Sequence, residues 1–287
     1  MRSVIVIGIG SDIGRELAVR FVADGWKVTG TLRSRKGLAA LPQGLRLVHC
    51  DLASTRSVVA AVKALRRNGA KWDLVVVAAG TEEPVGTFWE CEAEAWDENI
   101  RVNALAPLRL LRGLYPARNA TGTPGVAFFS GAGTNSAAPA YSAYCASKIF
   151  LLKMCELLDA ESPDTSFFII GPGIVRTKIH EQTLHAGKRS GANYRKVVDF
   201  LNSGDPGTSH DEVYACLQWC VGAGKAVIGG RNISLVHDVW RGGGAGLAGM
   251  LKGDPNLYKL RRFGNDMRVA TRTNKRQPKG RRTRGGQ

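Results

Sequence analysis

The sequence predicts a single α/β domain, a parallel doubly wound sheet covered by helices on both faces. Two observations carry this. Apolar runs at 3–8, 26–32, 45–50, 72–78, 125–129 and 165–170 alternate with segments of helical character, through short connections. That β-α-β order favours a parallel sheet with right-handed crossovers. The runs are also apolar almost throughout, as strands buried on both faces are, rather than alternating. At 287 residues the chain is long enough for one large core.

The first strand, 3–8, runs into Gly8-Ile-Gly-Ser-Asp-Ile-Gly14 and a helical stretch, 15–24. Glycine lets backbone approach a pyrophosphate, and the N–H groups of the first helical turn point at the anion. Gly8, Gly10, Ser11, Asp12, Ile13 and Gly14 are therefore candidate cofactor-binding residues. Three glycines in seven residues also make a plain turn; the flanking strand and helix favour the cradle. The second strand, 26–32, ends at Arg33-Ser-Arg35. NAD-preferring sites place an acid near this strand end, whereas arginine suits the 2′-phosphate of NADP. NADP is expected in preference to NAD, the rival reading being a solvated basic loop. The third strand, 45–50, ends at Asp51-Leu52, and Ser54 caps a helix to 67. The fourth, 72–78, closes at Ala79-Gly80. Ligands of a Rossmann-type sheet bind at the carboxyl strand ends, where Gly8, Arg33, Asp51 and Gly80 all fall.

Residues 92–115 read as one long helix with a polar Asn103 inside an apolar segment. A buried Asn left unpaired costs about 1–3 kcal/mol, so it pairs with backbone or distorts the helix and binds a water at a site. The fifth strand, 125–129, delivers Ser130. In the helical run 144–158, Tyr144 and Lys148 are four residues apart and share a face. A phenol of ordinary pKa near roughly 10 becomes a usable acid or base at neutral pH when an ammonium favours its anion. Ser130 adds a hydroxyl to hold a substrate oxygen. Tyr-x-x-x-Lys alone also describes two exposed neighbours, so the rest of the pattern decides. The sixth strand, 165–170, ends at Gly171-Pro-Gly173; a helix at 212–222 and a glycine-interrupted final strand at 226–236 follow.

The net charge of +16 is uneven: residues 259–287 hold eleven Lys and Arg against one Asp. That tail lacks the apolar residues for a core and is expected to be disordered. It suits nucleic acid or anionic lipid by charge alone, though a solvated tail without a specific partner is the preferred reading. The six cysteines contain no Cys-x-x-Cys pair and no zinc-like grouping with the five histidines, so no metal site is expected. Reduced thiols, no secretory leader pattern and no apolar run near the ~20 residues of a membrane span point to a cytoplasmic protein.

With these pieces placed, residues 3–240 resemble the short-chain dehydrogenase/reductase family. Gly8-x-x-x-Asp12-Ile13-Gly14 looks like its Thr-Gly-x-x-x-Gly-x-Gly turn, Asp51-Leu52 matches its adenine-contacting pair, and Ala78-Ala79-Gly80 is similar to its Asn-Asn-Ala-Gly motif. Asn103, Ser130, Tyr144 and Lys148 fall where the catalytic tetrad lies, and Pro172-Gly173-Ile-Val-Arg-Thr177 resembles the segment holding the nicotinamide carboxamide. The resemblance implies hydride transfer between nicotinamide and a ketone, aldehyde or secondary alcohol, chiefly as a reductase. Tyr144 would exchange the proton, and Lys148 would hold the ribose and lower the Tyr144 pKa. Ser130 would polarise the substrate oxygen, and Asn103 would anchor a relay water. It further implies a lid over the substrate at 178–209, and a homodimer or homotetramer paired through the helices at 92–115 and 144–158. Three departures stand out: Asp12 replaces a glycine, as a possible helix N-cap facing away from pyrophosphate; Val77 and Ala78 replace two asparagines; and Gly131 occupies the usual serine slot. Ser130 is expected to keep the role through a longer loop, with Thr134 and Ser136 as substitutes. The expected division is a catalytic domain over 1–240, a glycine-rich exit over 241–258 and the tail from 259. The rival functions are a non-catalytic NADP-binding sensor or scaffold, and a nucleic-acid-associated protein acting through the tail.

Overall fold

In the computed structural model, which describes residues 1–34 and 41–262, seven strands form one parallel sheet in the order β3-β2-β1-β4-β5-β6-β7. These are β1 Ser3–Ile7, β2 Lys27–Leu32, β3 Arg46–His49, β4 Leu74–Val77, β5 Gly125–Phe129, β6 Ser166–Gly171 and β7 Asn232–Ser234. The central strands are apolar on both faces because both are covered. Val4, Val6, Leu74, Val76, Ala127, Phe129, Phe168 and Ile170 join one core. Their neighbours Ile5, Ile7, Val75, Val77, Val126, Phe128, Phe167 and Ile169 join the other, as the two-residue strand period requires. Helices α1 (Asp12–Ala23), α8 (His210–Ala223) and α10 (Ala245–Gly253) close the first face; α2 (Thr55–Leu65), α4 (Ala106–Leu114) and α5 (Ser142–Glu161) close the second. Each fully buried Phe, Ile or Leu contributes about 1.5–3 kcal/mol. The chain order reverses beside β1, which pairs with β2 on one side and β4 on the other, and this opens the crevice at their carboxyl ends.

The stretch 92–115 is not one regular helix. Helix α3 (Ala93–Ile100) passes into a π turn, Arg101–Leu105, before α4 begins. Pro107 explains the break: it has no N–H for the i→i−4 ladder, and its ring crowds the preceding turn. Asn103 sits inside that wide turn.

Two expectations near the C-terminus are corrected. Of 226–236, expected as a strand, only Asn232–Ser234 pairs with β6, and Lys225–Ile228 forms the short helix α9. Val227 and Ile228 are both buried in the same core; consecutive residues of a strand would point to opposite faces. The glycine-rich 241–258 does not leave the fold either. Leu247 and Leu251, one turn apart on α10, are buried with Trp240 in the core. The buried Arg231 guanidinium donates to the carbonyls of Leu251, Asp254 and Leu257, tying that helix end to β7. The first tail residues are anchored as well, since Arg261 pairs with Glu156 at 2.6 Å. Residues 263–287, with the disorder and nucleic-acid contact expected of them, and Arg35 lie outside the described residues.

Candidate active site

At the end of β1 the chain turns through Gly8 at φ +85°, where a Cβ would come within 2.7 Å of Ala79 in the turn after β4. Only glycine lets these two turns touch. Ser11, rather than Asp12, caps α1: its Oγ accepts from Gly14 N (3.0 Å) and donates to Gly8 O (2.9 Å). The backbone N–H groups of Asp12 and Ile13 have no partner among the described residues and remain as anion donors at the helix start. The Asp12 carboxylate accepts from Lys178 N (2.7 Å), while Lys178 Nζ donates to Gly10 O (2.7 Å). A lysine thus stands at the mouth of the cradle, and the carboxylate serves the start of the lid.

A cavity of about 950 Å³ extends from this cradle, lined by Gly8, Gly10, Ser11, Arg33, Asp51, Leu52, Ala79 and Gly80 among others. That volume lies within the roughly 300–1,000 Å³ of small-molecule sites. Arg33 is exposed beyond β2. Asp51 is held by its backbone, its N–H donating to Ser57 Oγ (2.9 Å) and its carboxylate accepting from Ala53 N (3.1 Å).

Asn103 is fully buried and pairs with backbone. Its Oδ1 accepts from Thr81 N (2.9 Å), and its Nδ2 donates to Thr81 O (2.8 Å), Asn99 Oδ1 (2.9 Å) and Ser147 Oγ (3.2 Å). Asn99 adds bonds to Thr81 O and Glu83 O. Two amides thereby replace the polar support lost with Val77 and Ala78. A Cβ on Gly80 would lie 3.7 Å from both Asn103 Oδ1 and Lys148 Nζ, so these two side chains flank the same small turn.

Tyr144 and Lys148 stand on the first turns of α5, both buried. Lys148 Nζ lies 5.4 Å from the Tyr144 ring centre and donates to Phe129 O (3.0 Å). The expected lowering of the Tyr144 pKa by this ammonium is not what the surroundings produce. Burial pushes the phenol up, with the charge of Glu82 adding to it, and burial brings the Lys148 ammonium down to about 8. A Cβ on Gly131 would sit 2.3 Å from the Tyr144 hydroxyl, so a serine in the family's usual slot would collide with the phenol. Ser130, one residue earlier, is buried beside Gly171, and its hydroxyl has no hydrogen bond among the described residues. Of its substitutes, Thr134 bonds Gly131 O and Ser136 is exposed.

Helix α6 (His180–Ala186) lines the cleft with Gln182, His185 and Ala186, and α7 (Ala192–Asn202) packs against α6. Gln182 Oε1 accepts from Glu82 N (2.6 Å) and Thr81 Oγ1 (3.1 Å), and Thr183 Oγ1 donates to Glu82 Oε2 (3.0 Å). With α6 fastened there, Asp12, Ile13, Gly14, Asn103, Ser130, Tyr144, Lys148, Pro172, Gly173 and Thr177 are not on the cavity wall. His180 bonds Val175 O and packs on Phe200, whereas His185 and Arg189 reach the cavity. Glu82, Asn99 and Ser147 were not legible as site residues, because Thr183, Thr81 and Asn103, the partners that place them there, stand far away in sequence; Lys178 and Gln182 fell only within the expected lid, 178–209.

The family model of the short chain dehydrogenases matches residues 2–187. Over 185 residues the chain is 25% identical to an NADPH-dependent pterin aldehyde reductase of Arabidopsis thaliana, taking in 62% of this chain and 76% of that one. Over 197 residues it is 30% identical to estradiol 17-beta-dehydrogenase 1 of Rattus norvegicus, 62% of this chain and 56% of the relative. It therefore spans little more than half the length of that steroid dehydrogenase. Among solved structures, the KRED1-Pglu enzyme shares the fold, with a TM-score of 0.73 at 20% identity over 81% of this chain and 100% of the other.

Proposed function

Because the chain belongs to the short chain dehydrogenase family, we propose that it is an NADP-preferring oxidoreductase acting on a ketone, aldehyde or secondary alcohol, chiefly as a reductase. The observation that carries this is the Tyr144–Lys148 pair beside Ser130 at the carboxyl end of the sheet, next to the phosphate cradle. The cradle suits a dinucleotide because Gly8 leaves no room for a side chain and two backbone donors await an anion. Gly8, Gly10, Ser11, Asp12, Ile13 and Gly14 would surround the pyrophosphate, joined by Lys178, and Asp51 and Leu52 would meet the adenine. Ala79, Gly80, Pro172, Gly173 and Thr177 would border the nicotinamide half. Arg33 favours a 2′-phosphate, and no described acid stands at that strand end.

The bound cofactor supplies the hydride. Tyr144 Oη gives a proton to the substrate oxygen in reduction and takes it back in oxidation. Lys148 holds the ribose and, desolvated and still mostly charged at neutral pH, favours the phenolate against the burial that opposes it. Ser130 Oγ donates to the substrate oxygen, a preorganised contact of the kind worth a few kcal/mol. Asn103 holds the Gly80–Thr81 turn against which Lys148 is placed, and it remains the proposed anchor of a relay water. Pairing of copies through α4 and α5 completes the reading, with Phe150 and Leu157 exposed on α5.

The test is Tyr144→Phe in an NADPH-oxidation assay over a carbonyl panel, with NADPH binding followed by fluorescence. Turnover is expected to fall at least roughly 100-fold with binding intact. Unchanged turnover in the variant, or none in the unmutated protein, removes the catalytic reading.

A further inference from the structure

Outside the two sheet cores lies a third apolar cluster, formed by Val85, Ala140, Tyr141, Tyr144 and Ala186 with Cys145 against it. It joins the turn after β4, the start of α5 and the lid helix α6. Glu82 reaches this cluster through Thr183 and Tyr141. Glu82 Oε2 accepts from Thr183 Oγ1 (3.0 Å), whose oxygen is in turn 2.5 Å from Tyr141 Oη. Its charge reaches Tyr141, Tyr144 and Cys145. No described Lys, Arg or His pairs with it, and Oε1 has no hydrogen bond to a described residue. A half-buried carboxylate without a cation is under-solvated, and such groups concentrate where a ligand completes their bonding. Burial has already pushed Glu82 up to about 7, with the Thr183 bond opposing only in part.

We propose that Glu82 is a substrate-binding residue that selects carbonyl compounds carrying a hydroxyl on a carbon next to the carbonyl, with an apolar body against Val85, Ala140 and Ala186. This rests on the reductase reading for the carbonyl and on the Glu82 geometry for the hydroxyl. A carboxylate oxygen accepts from a hydroxyl, and Thr183 and Tyr141 surround it with groups that both donate and accept. Tyr144 lies within the same cluster, so a hydroxyl at Glu82 would leave the adjacent carbonyl near the Tyr144 phenol. Glu82 is not itself on the cavity wall, but Val85 and, from α6, Gln182 and Ala186 are, and Thr183 belongs to α6, so the lid that borders the cavity also orients the selecting carboxylate.

The experiment compares 2-hydroxyacetophenone with acetophenone as NADPH-dependent substrates, for the unmutated protein, Glu82→Gln and Glu82→Leu. Glu82→Gln keeps an acceptor for Thr183 and serves if Glu82→Leu does not fold. In the unmutated protein kcat/KM is expected to favour the hydroxyketone at least tenfold. In the variants that ratio should fall below threefold, with the loss in KM rather than kcat. A parallel arm measures binding of 1-phenyl-1,2-ethanediol and 1-phenylethanol by calorimetry, with and without NADP. A preference for the diol that is lost in the variants, without turnover of either ketone, would retain Glu82 as the selector and remove the reductase reading. No preference in either arm, or one that survives both variants, overturns the proposal.

Discussion

Burial moves Glu82 and Lys148 in opposite directions. Glu82 is raised to about 7 because its charge is poorly solvated, so the fold holds its proton more tightly than the unfolded chain. The stabilisation this confers is complete below an unfolded pKa near 4.5 and is lost as pH rises through about 7. Glu82→Gln removes the dependence. Its stability relative to the unmutated protein should therefore rise between pH 5 and pH 8, by about 2 kcal/mol once partial solvation is allowed for. Urea unfolding at the two pH values checks this, and a flat difference contradicts it. Lys148 has the opposite sign and a separate window, its burial cost easing as pH rises from about 8 toward 10.5. Arg33 acts by charge at a distance from both. A charge-assisted hydrogen bond contributes about 1.5–3 kcal/mol, so Arg33→Ala is expected to weaken NADPH binding roughly 10- to 100-fold while NADH changes by less than about threefold. Equal losses by calorimetry would refute the 2′-phosphate assignment.

The π turn between α3 and α4 joins sequence to site at the scale of the element. Pro107 forbids a regular ladder, the turn widens, and Asn103 is directed at both backbone groups of Thr81. Asn103→Leu leaves Thr81 N and Asn99 Oδ1 without that partner, while Thr81 O keeps its bond from Asn99 Nδ2. A loss of about 3 kcal/mol is expected, since each orphaned group costs about 1–3 kcal/mol. A loss below about 1 kcal/mol in urea unfolding would mean that the turn is held by other contacts. The strands and α5 could be anticipated from composition, because burial on both faces demands continuous apolar runs. The π turn was only one of two readings of a polar residue in an apolar helix. The strand expected over 226–236 failed because a pair of adjacent apolar residues fits a buried helical turn as well as a strand, and composition does not choose between them.

Across the whole molecule, the described residues form one sheet with two covered faces, and among them no helix is long and apolar enough to cross a membrane. The proposed pairing of copies would use the outer face of α5, where Phe150 and Leu157 are seven residues apart and both exposed. The double variant Phe150→Glu, Leu157→Glu is expected to shift a dimer or tetramer to monomer in light scattering, with the circular dichroism of the fold retained; an unchanged mass would rule this face out. What the sequence determined by itself was whatever depends on neighbours along the chain: strand runs, the Gly8–Gly14 turn, the cap at Ser54, and the four-residue spacing of Tyr144 and Lys148. The tertiary structure alone decided what depends on residues brought together from afar. It set Glu82 against Thr183 across the lid, Asp12 on Lys178, Arg231 on the carbonyls of α10, and the Tyr144 hydroxyl against Gly131. Periodicity records which face a side chain takes, but desolvation and hydrogen-bond partners depend on which face it meets, and only the packed fold supplies that.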